Sequence, residues 1–134
     1  TAVVHAHPPT ATGFAIARIP LDSYTMPEAI LTLGAVPIAK YGTPSTDEIP
    51  DAVAPLLPEH DAILLENHGA LTVGKDLLTA YYRMETLELF AKSTLVARLL
   101  GGEVELDRNQ IDECLKLRKK FKLSGRHCGY KKFS

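Results

Sequence analysis

An apolar run carrying two histidines, Val3-Val4-His5-Ala6-His7, stops abruptly at Pro8-Pro9. Side chains on a strand repeat every two residues, so His5 and His7 project from one face and form a pair able to grip a single ion. Proline cannot donate to a strand ladder, so the strand must end directly after the second imidazole. Val3, Val4 and Ala6 are apolar, which places the pair at the end of a buried strand. Binding sites are commonly built where a rigid element meets a loop.

A third imidazole, His68, follows a second apolar run, Ala62-Ile63-Leu64-Leu65, and precedes Gly69, where the backbone can turn or be approached closely. Three histidines around a tetrahedral zinc leave its fourth position open for substrate. His5, His7 and His68 are therefore the candidate metal ligands, with Zn²⁺ as the expected ion and another divalent metal as the alternative. A lone His-x-His is weak evidence, because histidine is also a common, partly buried structural residue. The reading rests on the conjunction of the three.

The chain has 134 residues, 46% of them hydrophobic, which suits one globular domain with a real core. No apolar stretch approaches the about 18 residues of a membrane span, and none reads as a leader, so the expected setting is soluble and cytoplasmic. Cys114 and Cys128 lack the spacing of a zinc motif and are expected to be free thiols. Thr1 enters an apolar strand with no preceding turn, as in a fragment whose upstream partner strand lies elsewhere.

Charge is uneven although the net value is −1. From Cys114 onward the chain carries Lys116, Arg118, Lys119, Lys120, Lys122, Arg126, Lys131 and Lys132 with no acidic residue. A solvated helix end running into a loose, basic tail over residues 122–134 is the expected form. Aromatic residues are too sparse around it for a nucleic-acid platform.

Between these landmarks the pattern predicts alternating helices and strands. Pro8 and Pro9 suit the first turn of a helix continuing through Ala17, and amides free at its start, beside His7, would favour an anion or a metal-bound oxyanion nearby. Pro20-Leu21-Asp22-Ser23 reads as a turn, Pro27 opens a short helix that stops at Gly34, and Val36-Pro37-Ile38 suits an edge strand. Ser45 and Glu48 have capping-box spacing for a helix to about Leu57. Asp61 to Glu66 and Ala70 to Val73 read as paired strands. Asp76 can cap the longest helix, with Leu77, Ala80, Tyr81, Met84, Leu87, Leu89, Phe90 and Leu95 facing inward, up to Gly101-Gly102. Asp107 opens a last helix with Ile111, Cys114, Leu115 and Leu117 inside, fraying near Phe121. No repeat and no glycine-rich phosphate fingerprint is present.

The ordered motifs His5-Ala6-His7-Pro8-Pro9-Thr10-Ala11-Thr12-Gly13-Phe14, Pro27-Glu28, Val36-Pro37-Ile38-Ala39-Lys40-Tyr41-Gly42-Thr43-Pro44 and Leu65-Glu66-Asn67-His68-Gly69-Ala70 resemble the class II aldolase/adducin family. The L-fuculose-phosphate aldolases are the branch they are most like. The resemblance covers Thr1 to about Gly101. It implies a three-layer α/β/α sandwich lacking its N-terminal part here, with residues 1–121 as the C-terminal part of the domain. It also implies a homotetramer with zinc sites near subunit contacts, and His5, His7 and His68 as zinc ligands. Tyr41 matches a tyrosine that acts across the interface in a neighbour's site. The family's catalytic carboxylate and phosphate-binding residues precede the His-x-His motif.

The implied reaction is cleavage of a ketose 1-phosphate, such as L-fuculose 1-phosphate, to dihydroxyacetone phosphate and an aldehyde. Breaking a carbon–carbon bond beside a carbonyl requires stabilising an enediolate, for which a cation held by neutral ligands keeps its full charge available. When the bond is formed rather than cleaved, a tyrosine phenol such as Tyr41 can protonate the emerging alkoxide, although a turn tyrosine can also simply cover apolar surface. Glu66 is a candidate carboxylate behind His68. The alternatives are a sugar-phosphate epimerase or dehydratase of the same family, or an adducin-like interaction module without catalysis. Barrel hydrolases with His-x-His need roughly 200 residues or more.

Overall fold

The computed structural model describes residues 1–133, so Ser134 of the basic tail lies outside the described residues. The strands are β1 (Ala2–Ala6), β2 (Ile38–Ala39), β3 (Ala62–Leu65) and β4 (Gly69–Gly74). The helices are α1 (Pro9–Ala17), α2 (Pro27–Thr32), α3 (Glu48–Val53), α4 (Leu77–Leu99) and α5 (Arg108–Lys120). One mixed sheet has the order β1-β4-β3-β2. Both β1 and β3 run antiparallel to β4, and β2 runs parallel to β3.

Strand β3 is apolar at every position because both of its faces are covered. Ala62 and Leu64 join Ala70, Phe14, Leu87 and Phe90 on the side of α1, α2 and α4. Ile63 and Leu65 join Ala39 and Val53 on the side of α3. Helices on both faces make the three-layer α/β/α arrangement. Strand β1 departs from the expectation of a buried strand, since it lies at the sheet edge and Val3 is 57% exposed. Its Val4 and Ala6 pack toward α1 and α4, but α3 sits over β2 and β3, leaving the Val3–His5 face open.

Local chemistry explains most element boundaries. Pro9 and Pro27 each occupy the first turn of their helices, where the missing N–H is no loss. Gly34, at φ +68°, takes the left-handed conformation that ends α2. Asp76 accepts from the Thr79 amide, and Asp107 forms a reciprocal capping box with Gln110. The anticipated Ser45–Glu48 box does not form. Ser45 is in a left-handed turn at φ +66°, Glu48 accepts from the Thr43 amide instead, and the helix runs only from Glu48 to Val53. The anticipated turn at Pro20–Ser23 is also replaced, because Leu21 pairs with Val36 in a short antiparallel bridge and is buried.

Helix α4 buries a different stripe from the one its apolar residues predict. Ala80, Met84, Leu87 and Phe90 face inward with Arg83, Ala91 and Thr94, whereas Leu77, Tyr81, Leu89 and Leu95 are exposed. A period of 3.6 residues selects 80, 84, 87, 91 and 94 together and sends 89 to the opposite side. On α5, Ile111 and Cys114 are buried but Leu117 lies at the rim.

The tail expected to be loose is docked. Tyr24, buried and with its phenol pushed up to about 12 by that burial, donates from its hydroxyl to the Lys131 carbonyl at 2.8 Å and stacks on Tyr130. The His127 ring bonds the Ile30 carbonyl at 2.6 Å. Asp61 anchors the segment from below, pairing with Arg83 at 3.1 Å and with Arg126 at 3.0 Å while Arg83 donates to the Val73 and Ser124 carbonyls. Cys114 and Cys128 are free thiols.

Asp61 and Arg83 are both buried, so removing the carboxylate strands a guanidinium in a low-dielectric setting. Asp61→Ala is expected to lower stability by about 3–5 kcal/mol and to make the peptide bonds around Arg126 more protease-sensitive. Denaturant melts and limited trypsin digestion check both outcomes.

Candidate metal centre

The register of β1 on β4 sets the site. Val3 faces Val73, His5 faces Leu71 and Ala6 faces Ala70, so one step further His7 comes to Gly69. Strands β3 and β4 are joined through the Leu65–Gly69 pair by the three-residue loop 66–68, which carries His68. The three rings meet above the open face of the sheet, with centroids 5.0 Å apart for His5 and His7, 4.8 Å for His5 and His68, and 5.0 Å for His7 and His68. One ring nitrogen from each lies within 4.8 Å of the others. Among the described residues this is the one cluster of three or more potential ligand side chains that could hold a metal ion.

The ring nitrogens are prepared for ligation. A carbonyl can only accept, so His5 Nδ1 donates its proton to the Ala70 carbonyl at 2.9 Å and leaves Nε2 with its lone pair. His68 Nδ1 is buried without a hydrogen-bond partner, an orphaned polar atom beside two other imidazoles. Burial, followed by the charges His5 and His7 would carry, holds the His68 ring below the usual histidine range. The neutral imidazole is the ligating form. This donor set fits a divalent cation of intermediate softness.

Gly69 is required here by space. A Cβ on Gly69 would lie 2.5 Å from His7 Cδ2 and 2.6 Å from the Ala6 carbonyl oxygen. Next to it, Asn67 adopts the left-handed conformation at φ +54°, which its short polar side chain tolerates. The Asn67 amide bonds the Ala15 carbonyl at 3.3 Å, tying the loop to the last turn of α1.

Tyr41 is exposed, and its loop is fixed through its backbone, whose amide donates to Glu66 Oε2 at 2.7 Å. The other Glu66 oxygen pairs with Arg18 Nε at 2.6 Å. Glu66 thus joins α1 to the Tyr41 loop, and its position behind His68 was not realised, because the chain leaves β3 at Leu65 and turns before His68. The amides at the start of α1 are not free either. Glu88 of α4 accepts from both Thr10 and Ala11, so the anion expected beside His7 is one of the chain's own carboxylates. The sequence pattern hides it, because an apolar Leu89 draws the inward position that Glu88 in fact shares with Met84 and Ala91.

The model of the class II aldolase and adducin N-terminal domain matches residues 1–95. The chain belongs to the class II aldolase and adducin family. It is 34% identical over 91 residues to an L-fuculose phosphate aldolase of Methanococcus maripaludis (strain C7), covering 68% of this chain and 49% of the relative. It is also 34% identical over 96 residues to a 3-oxo-tetronate 4-phosphate decarboxylase of Escherichia coli (strain K12), covering 68% of this chain and 45% of the relative. A solved L-fuculose 1-phosphate aldolase superposes with a TM-score of 0.79 at 32% identity, covering 90% of this chain and 55% of that one. The chain spans about half the length of the curated relatives it matches.

Adding one methyl group tests the fit. Gly69→Ala must displace either the His7 ring or the Ala6 backbone, and it is expected to cost about 1–3 kcal/mol and to weaken divalent-ion binding at least about tenfold. Thermal melts with and without added Zn²⁺ report both effects.

Proposed function

We propose that His5, His7 and His68 hold a divalent cation, Zn²⁺, and that the chain is part of an aldolase that cleaves a ketose 1-phosphate of the L-fuculose 1-phosphate kind into dihydroxyacetone phosphate and an aldehyde. The observation that carries this reading is the convergence of three ring nitrogens within 4.8 Å on an open face of the sheet. Membership in a metal-dependent family supports it, as does similarity to the fuculose-phosphate aldolases. When bound, the cation supplies positive charge that polarises the carbonyl and hydroxyl oxygens of the substrate.

The chain's own residues then have separate tasks. The Ala70 carbonyl fixes the tautomer and the plane of His5. Burial pushes the His68 ring below the usual histidine range, which favours the neutral form that ligates a metal. In the bond-forming direction the exposed phenol of Tyr41 donates the proton taken up by the emerging alkoxide, and in cleavage the same side chain takes that proton back from the substrate hydroxyl, on a loop whose backbone is held by Glu66. The proposal includes a homotetramer, in which that phenol reaches a neighbour's site, and a cytoplasmic location; no helix among the described residues is long and apolar enough to cross a membrane. Residues 1–121 are read as the C-terminal part of the domain and 122–134 as its tail. The general base and the phosphate cradle are read as lying upstream of the His-x-His motif; this chain covers 49% of the relative's length.

A decarboxylase is the second reading, favoured by equal identity to the 3-oxo-tetronate 4-phosphate enzyme. Losing CO₂ and losing an aldehyde both leave an electron pair beside a carbonyl, so the same polarising centre serves either. Epimerase and dehydratase chemistry share that centre too. An adducin-like module would have no use for three clustered ligands. Incubating the full-length protein with a panel of ketose and 3-oxo acid phosphates separates these by product: an aldehyde with dihydroxyacetone phosphate, or CO₂.

In the full-length protein, His68→Ala is expected to abolish both metal uptake and turnover. Tyr41→Phe is expected to retain the metal and lower kcat by about 10²–10⁴-fold. Elemental analysis paired with steady-state kinetics distinguishes the two. Full turnover by a metal-free His68→Ala protein would refute the reading.

A further inference from the structure

The first turn of α1 is closed by a side chain from another helix. Pro8 caps it without a side-chain hydrogen bond, and Pro9 brings no N–H. Thr12 is the first residue to bond within the helix, to the Pro8 carbonyl at 2.8 Å. Only the Thr10 and Ala11 amides remain open. Glu88 takes both: Thr10 donates to its two oxygens at 2.9 and 3.1 Å, and Ala11 donates to one of them at 2.8 Å. The carboxylate is half-buried on α4, in the stripe that also holds Met84, Leu87 and Ala91. A carboxylate at a helix N-terminus is favoured both by the aligned dipoles and by charge-assisted hydrogen bonds.

We propose that Glu88 is a positioning residue for the metal centre: by pinning the start of α1 to α4, it holds the His7 ring against Gly69 and so sets the spacing of the three imidazoles. The inference rests on the metal-binding reading of His5, His7 and His68. His7 is joined to the pinned turn only through Pro8 and Pro9, whose rings fix φ, so the link is stiff and a shift of the helix start moves the imidazole. His7 has little room for such a shift, because its Cδ2 lies 2.5 Å from where a Gly69 Cβ would be. Helix α4 is a firm anchor, capped by Asp76 and packed along the sheet. Glu88 touches no ligand ring in this arrangement; it acts through the backbone.

The test compares Glu88→Ala, Glu88→Gln and a control, Glu85→Gln, in the full-length protein. Glu85 sits on the same helix, is exposed and bonds the Tyr81 hydroxyl. Two quantities are read at a temperature where circular dichroism shows each variant folded. One is Co²⁺ affinity from a visible-absorption titration. The other, in the metal-free protein, is the NMR contact between the His7 ring proton on Cδ2 and the Gly69 α-protons. Glu88→Ala is expected to weaken Co²⁺ binding about 10–100-fold and to lose the His7–Gly69 contact. Glu88→Gln keeps an acceptor oxygen for these amides and should fall between, with Glu85→Gln unchanged. A folded Glu88→Ala protein with wild-type affinity and an intact contact would overturn the proposal, as it would show a carboxylate that stabilises α1 and nothing more. If Glu88→Ala does not fold, the isosteric Gln variant decides on the same two readings. Should the wild-type protein take up no Co²⁺, the metal reading fails, while the metal-free NMR contact still decides whether Glu88 places His7.

Discussion

Every imidazole of the centre depends on the antiparallel register that sets Ala6 opposite Ala70 and brings His7 to Gly69. Because side chains alternate along a strand, a slip of one residue would turn Val3, His5 and His7 toward α1 and α4 and push Val4 and Ala6 into solvent. Two features hold the register. Val4 and Ala6 pack into the cluster built by Phe14, Leu87 and Phe90, and the missing side chain of Gly69 leaves a gap that the His7 ring fills. The β3–β4 connection then contributes the third ring. A three-residue loop between Leu65 and Gly69 is short enough that His68 has to rise beside the end of β1.

Helix α1 is the strut that braces this arrangement from behind. Its first turn is held by Glu88, and its last turn is tied to the loop that carries His68, through the Ala15 carbonyl, Arg18, Glu66 and Asn67. Arg18 and Asn67 both adopt left-handed backbone conformations at that junction, at φ 57° and 54°. Such conformations are uncommon for residues other than glycine and persist where surrounding contacts determine them. Glu66 passes the same tie to the loop of Tyr41. One helix therefore connects the segment bearing His5 and His7 with the loops bearing His68 and Tyr41. Polar contacts, most of them charged, make the connection.

The parts of this arrangement that the sequence disclosed are those fixed by local rules. Period-two spacing paired His5 with His7, Pro8-Pro9 marked the strand end, and Asp76, Asp107 and Gly34 marked helix ends, because each acts on residues within one turn of itself. The resemblance to the aldolase family added the three-layer fold. What stayed hidden depends on contacts between residues far apart in the chain. The apolar run around Val3 reads as buried, because it does not reveal that α3 covers only the far half of the sheet. Glu88 was hidden among leucines, since its partner amides lie 77 and 78 positions away. Glu48 chose Thr43 over Ser45 through the shape of the loop before it. The basic tail looked free to move because its charges are solvent-compatible, but Tyr24, Asp61 and the Ile30 carbonyl give it specific places to dock.

The central claim is that three imidazoles from β1 and the β3–β4 loop share one cation. Zinc K-edge X-ray absorption on the zinc-loaded protein measures this most directly. The account predicts one zinc per chain with a first shell of light atoms at about 2.0–2.1 Å and the outer scattering features of three histidine rings. A shell dominated by sulfur, or one without the imidazole features, would contradict it.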